Sequence, residues 1–108
     1  MSKLSVRVES FKPHRSHSLF GFIDVVIPEI RLRIREASVH QSNGRRWIGL
    51  PARAQIDREG QVRHDGRGRI AYASVIQFTD RDTGDAFSER AIAALLESYP
   101  SAFDEAAP

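Results

Sequence analysis

Residues 32–53 read LRIREASVHQSNGRRWIGLPAR. Leu32 and Ile34 alternate with Arg33 and Arg35, the two-residue period of a strand with one buried face. The phase then slips. Ala37 and Val39 have the opposite parity, so strict alternation would bury Glu36 and expose Val39. A β-bulge near Arg35–Glu36 restores the apolar positions to one side and bends the sheet. Asn43-Gly44 then supplies the strongest short hairpin signal in the chain, because a type I′ turn needs positive φ at both central positions. The stretch therefore predicts a strand over 29–41 that buries Ile30, Leu32 and Ile34, a tight turn, and a returning strand over 45–51.

The flanking segments extend this pair into a meander. LSVRV at 4–8 alternates and reads as a strand, and KPHRSHS at 12–18 reads as a polar loop. LFGFIDVVI at 19–27 is rich in aromatic and β-branched residues and reads as a strand buried on much of both faces. Pro28 marks a turn or an edge. Glu59-Gly60 and Asp65-Gly66 lie in a polar stretch, 53–69, that reads as a long mobile hairpin, and RIAYASVIQF at 69–78 reads as the last strand. Over 80–99, Phe87, Ala91 and Leu95 recur at helical spacing, with Ile92 and Leu96 beside them. Thr79 and Asp82 resemble a capping box, Gly84 allows a later start near Ser88, and Pro100 ends the helix. No internal repeat is evident. The predicted architecture is α+β: an antiparallel β-meander of about five strands followed by a C-terminal helix. It forms one domain over residues 1–100 with a frayed tail at 101–108. One helix leaves a sheet face or edge to cover, which favours a homodimer.

Composition narrows the function classes. The 108 residues contain no cysteine, which removes disulfides, thiol catalysis and cysteine-bound zinc. No apolar run approaches the ~20 residues of a membrane span, and the N-terminus lacks a signal-peptide core, so the expectation is a cytoplasmic protein with no membrane partner. The net charge of +2 conceals a strong asymmetry: residues 31–69 hold ten arginines against four acids, and residues 70–108 hold two arginines against seven acids. A basic centre is a candidate anion-binding region, and it could equally pair with the acidic end of a second subunit.

The catalytic and metal signatures are weak. His14 and His17 sit in a predicted loop without carboxylates at ligand spacing, so no metal or other cofactor is expected. No nucleophile elbow or phosphate-binding loop is present. Asp80, Asp82 and Asp85 stand where a helix begins, and the helix dipole explains them without catalysis. The expectation is a non-enzymatic protein. The remaining constellation is Arg31, Arg33, Arg35, Arg45, Arg46 and Arg53. Alternate side chains on a strand stand roughly 7 Å apart, close to the reach between phosphates of an extended single strand. Trp47 supplies an aromatic surface, or else a core or dimer contact. A basic sheet face with an aromatic ring suits single-stranded DNA or RNA. The alternative is a solvated face whose arginines each meet an acid, in a protein-interaction or structural homodimer module.

Within 35–53 the chain resembles the SpoVG (stage V sporulation protein G, septation regulator) family. Arg35-Glu36-Ala37 with Val39, the Asn43-Gly44 turn, Trp47-Ile48 and Leu50-Pro51-Ala52-Arg53 carry the resemblance, followed by the polar Arg58-Glu59-Gly60-Gln61 hairpin and the helix. It implies a small dimeric bacterial regulator that binds DNA or RNA. Two features differ from the family: the stretch 54–75 is longer than its hairpin, and Asp80, Asp82 and Asp85 oppose phosphate at the approach to the helix.

Overall fold

Asn43 and Gly44 adopt φ of 51° and 77°, the type I′ geometry that the dipeptide favours. The turn joins β3 (Leu32–Ser42) to β4 (Arg45–Gly49) with Ser42 opposite Arg45. β3 pairs in turn with β2 (Leu19–Ile27), and β2 with β1 (Arg7–Ser16), giving an antiparallel sheet in the order β1-β2-β3-β4. The computed structural model describes residues 4–104. Its remaining elements are a separate two-stranded sheet, β5 (Ala52–Ala54) with β6 (Tyr72–Ser74), and one helix, α1 (Arg81–Ser98). The architecture is α+β, but the meander is divided between a four-stranded sheet and this small second one.

The bulge lies where the phase slips. Ile34 pairs with Val25 and Ala37 with Ile23, so Arg35 and Glu36 together oppose Asp24. Glu36 has φ of 56°, and its N–H donates to Asp24 Oδ1 at 2.9 Å. The side-chain bond offsets the cost of a left-handed backbone at a non-glycine residue. Ala37 and Val39 beyond it are fully buried.

α1 crosses the sheet against β1 and β4 and buries Phe87, Ala91 and Leu95 against Ile23, Val25, Ile27, Ile34, Val39 and Ile48. Asp80 is the N-cap, accepting from Thr83 N at 2.9 Å, so the cap lies one residue beyond Thr79 and Gly84 is inside the helix.

Four expectations need correction. β1 runs from Arg7 to Ser16, so the predicted loop at 12–18 is largely strand. Its exposed polar side chains mimic a loop because an edge strand with one wet face carries them freely. Residues 28–30 form a single 3-10 turn that ends with Arg31 at φ of 52°, so β3 begins at Leu32 and Ile30 is 56% exposed. Pro28 fits the first position of that turn and cannot serve a ladder. The last strand shrinks to Tyr72–Ser74. Finally, the tail is ordered through Phe103: Ala102 and Phe103 are buried, and the Phe103 ring lies 5.4 Å from Phe20. The rest of the predicted frayed tail, 105–108, lies outside the described residues, as does the start of the chain, 1–3.

The segment between β5 and β6 is an internal repeat, where the sequence pattern shows none. Residues 55–62, QIDREGQV, and 63–70, RHDGRGRI, form two successive eight-residue loops. Asp57 Oδ1 accepts from the N–H groups of Glu59 and Gln61, and Asp65 Oδ1 accepts from those of Arg67 and Arg69. Gly60 and Gly68 take the same positive φ, 79° and 80°. Bridges Ile56↔Val62 and His64↔Ile70 close each loop. The equivalent positions Gln55, Arg63 and Ala71 bond in a ring: Arg63 N to Gln55 O, Ala71 N to Arg63 O, and Gln55 N to Ala71 O, at 2.8–3.0 Å. Only the Asp, the Gly and an apolar closing residue persist between the two loops, so an eight-residue period is hard to see without the hydrogen bonds. Residues 58–70 are exposed throughout. The radius of gyration, 15.1 Å, exceeds the about 13 Å of a compact chain this long, as expected for a body carrying an arm.

Candidate nucleic-acid interface

The six arginines singled out in the sequence separate. Arg31 caps the 3-10 turn and is not on a strand. Arg33 and Arg35 face outward from β3, on the side away from α1, and both meet carboxylates. Arg33 binds Glu9 through two bonds, Nε at 2.7 Å and a terminal nitrogen at 3.1 Å, and Arg35 Nε lies 3.8 Å from Asp24. The Arg33 guanidinium holds the Glu9 carboxyl below its usual range. Arg45 and Arg46 point to opposite faces of β4. Arg45 stands over Trp47 on the outer face, 5.9 Å from the ring centre. Arg46 donates to Gln41 at 2.6 Å and covers Phe103 at 4.3 Å on the helix side. Arg53 is exposed on β5.

A different set of cations is open. Arg53, Arg58, Arg63, Arg67 and Arg69 are all on the arm, all exposed, and take part in no ion pair among the described residues. Two of the arm's three acids are occupied locally: two backbone N–H bonds lower the Asp65 carboxyl, and Asp57 is held by two such bonds of its own. The sequence shows the basic centre as a whole but favours the regular strand over the arm, because alternation is visible and a lack of acid partners is not.

The arm base leans over the outer sheet face. A cavity of about 570 Å³ between them is lined by Phe22, Glu36, Ser38, His40, Pro51 and Tyr72, among others. His40 is fixed within it. Its Nδ1 lies 3.0 Å from Ser18 Oγ and its Nε2 2.8 Å from Ser38 Oγ, and its ring stacks on Trp47 at 5.2 Å and 6°. Burial pushes its pKa below the ordinary value of 6.5. Gly49, opposite Ser38 on β4, lets Ser38 Oγ pack against the backbone; a Cβ there would displace that hydroxyl from its present position. Tyr72 is 61% exposed, whereas Trp47 is engaged by His40 and Arg45. Tyr72 is thus the open aromatic surface on this side, with half-buried Phe22 across the cavity and His14 beside it. The sequence offered no signal for them, since their approach depends on how the arm folds back.

A second pocket, of about 570 Å³, lies between β4 and the start of α1, with Arg45, Arg81, Asp80 and Asp85 at its rim. Its carboxylates match its cations, which makes it a poor anion site. No group of three His, Asp or Glu side chains is placed to hold a metal ion among the described residues, and no helix there is long and apolar enough to cross a membrane. Compared with known proteins, the chain matches no family model, no curated protein and no solved structure.

Proposed function

We propose that the chain is a small, non-enzymatic, SpoVG-like regulatory protein that binds single-stranded nucleic acid. Phosphates are held by the arm arginines, and bases are received on the outer sheet face. The observation that supports this is the contrast in partners: Arg33 and Arg35 form ion pairs with carboxylates, while five arginines on the projecting arm and its base form none among the described residues. Cations that carry no internal pair exchange only water and counterions when they meet a phosphate, so their binding is salt-sensitive and indifferent to sequence. Exposed Tyr72 at the arm base adds a stacking surface.

The test is oligonucleotide binding across a salt series. For a single strand, the logarithmic slope falls by about 0.7 for each phosphate that the protein no longer neutralises. Arg58→Ala/Arg63→Ala/Arg67→Ala/Arg69→Ala should flatten the slope by about two to three units on that scale, since it removes four cations. Arg31→Ala/Arg33→Ala/Arg35→Ala should change it little. A flat salt response in the parent protein, or an unchanged slope in the arm variant, overturns the proposal.

A second reading, a homodimer module, is favoured by one further observation. Ile56, Val62, Ile70, Val75 and Ile76 are each at least 40% exposed, an apolar set on and beside the arm that a second copy would cover. The acidic first half of α1 is a complementary surface for the basic arm. Sedimentation equilibrium checks it: a monomer at micromolar concentration, unchanged by salt, excludes it.

A further inference from the structure

The cavity between the outer sheet face and the arm base combines two features that a simple backbone-binding surface does not need. Its walls are aromatic and flat: Phe22, Tyr72, and the His40 ring braced from behind by Trp47. Its polar edge is Glu36, whose backbone is pinned by the bulge and by Asp24, and whose carboxylate has no hydrogen-bond or ion-pair partner among the described residues. Beside it, sharing Glu36 and Pro51, lies a second cavity of about 360 Å³ in which Lys12 and Arg35 stand with Asp24 and Glu36, so its charges are matched. Glu36 is exposed, so a ligand that displaces its water needs hydrogen-bond donors matched to a carboxylate. The aromatic walls suit a planar ring.

We infer that the larger cavity binds a guanine base between Phe22, His40 and Tyr72, with the donor edge of the base toward Glu36. Guanine alone among the common bases presents two adjacent donors, N1–H and the N2 amino group, to a carboxylate in a bidentate pair. Adenine and cytosine each offer an amino donor beside an acceptor nitrogen, which a carboxylate repels, and uracil and thymine flank one N–H with two carbonyls. The volume of the larger cavity falls within the range of small-molecule sites.

The inference rests on the nucleic-acid reading only where the guanosine belongs to a strand, and free nucleotide separates the two. The single tryptophan, Trp47, stacked behind His40, reports occupancy through its fluorescence. The parent protein is titrated with GMP, AMP, CMP and UMP, and then with eight-residue single strands that differ only by one central guanine in a thymine background. GMP should bind about tenfold or more tightly than the other nucleotides, the scale of a bidentate contact. Glu36→Gln, which turns one acceptor into a donor at an exposed position, should abolish that preference and leave the fold intact by circular dichroism. Tyr72→Ala should weaken all four nucleotides together. Equal binding of the four, or a guanine preference that survives in Glu36→Gln, overturns the inference. Strands that bind with no gain from guanine overturn it while the arm reading stands. GMP preference without any binding of strands supports the pocket and overturns the arm reading.

Discussion

Phe103→Ala is the sharpest test of how this fold is held together. The residue lies beyond the helix in a short polar tail, yet its ring is 6% exposed, 5.4 Å from Phe20, with the Arg46 guanidinium 4.3 Å above it. Burying a phenylalanine side chain contributes about 1.5–3 kcal/mol. The pair with Phe20 adds about 1 kcal/mol, and the partly exposed cation–π contact about 0.5 kcal/mol. The truncation should therefore cost about 3 kcal/mol, at the lower end of the about 3–5 kcal/mol seen for buried phenylalanines. The low end is expected for a physical reason. The tail can undock at its free end, so the loss cannot exceed the energy that docks it. With a urea m-value of about 1.5 kcal/mol/M for a chain of this size, the midpoint should fall by about 2 M while m stays constant. A double-mutant cycle with Arg46→Ala should show positive coupling, because the two side chains touch. A midpoint shift below about 0.3 M would mean the tail contributes nothing to the core, and the assignment of residues 101–104 to the domain would fail.

Three further outcomes follow from the site, the hydrogen-bonded carboxylates and the turn. Burial holds folded His40 below 6.5, so the unfolded chain takes up a proton first as pH falls; stability should decline below about pH 6.5, level off below the folded value, and lose this stage in His40→Gln. A separate acid loss below about pH 4.5 should follow as Glu9, Glu29, Asp65 and Asp80, all held below their ordinary values, are protonated, and urea melts at half-unit pH steps resolve the two. Gly44→Ala should cost about 1–2 kcal/mol in the same melts, because φ of 77° is strained for any residue with a Cβ even though open space surrounds it; a loss under about 0.3 kcal/mol would remove the type I′ turn as a determinant of register.

Some features of this protein were decided locally and were therefore legible in the sequence. The Asn43-Gly44 turn needs only its own two residues, and the bulge at Arg35–Glu36 shows as a slip in parity within one strand. β2 and α1 carry enough apolar periodicity to be placed without their partners. The α+β class follows from these elements alone. What the tertiary structure decided depends on distance rather than on order along the chain. Glu9 and Asp24 reach Arg33 and Arg35 only because β2 lies beside β3 and β1 beside β2, and that arrangement turns an apparent row of free cations into matched ones. Phe103 becomes core only because the chain turns back onto Phe20 after α1. The arm's arginines form no ion pairs while Asp57 and Asp65 bond their own turns, and Glu36, His40 and Tyr72 line one cavity because the arm base leans over the sheet. Charge and period are properties of a segment, so the sequence carries them. Which cation is neutralised, and which ring faces which carboxylate, is a property of contacts between segments, and only the folded chain supplies it.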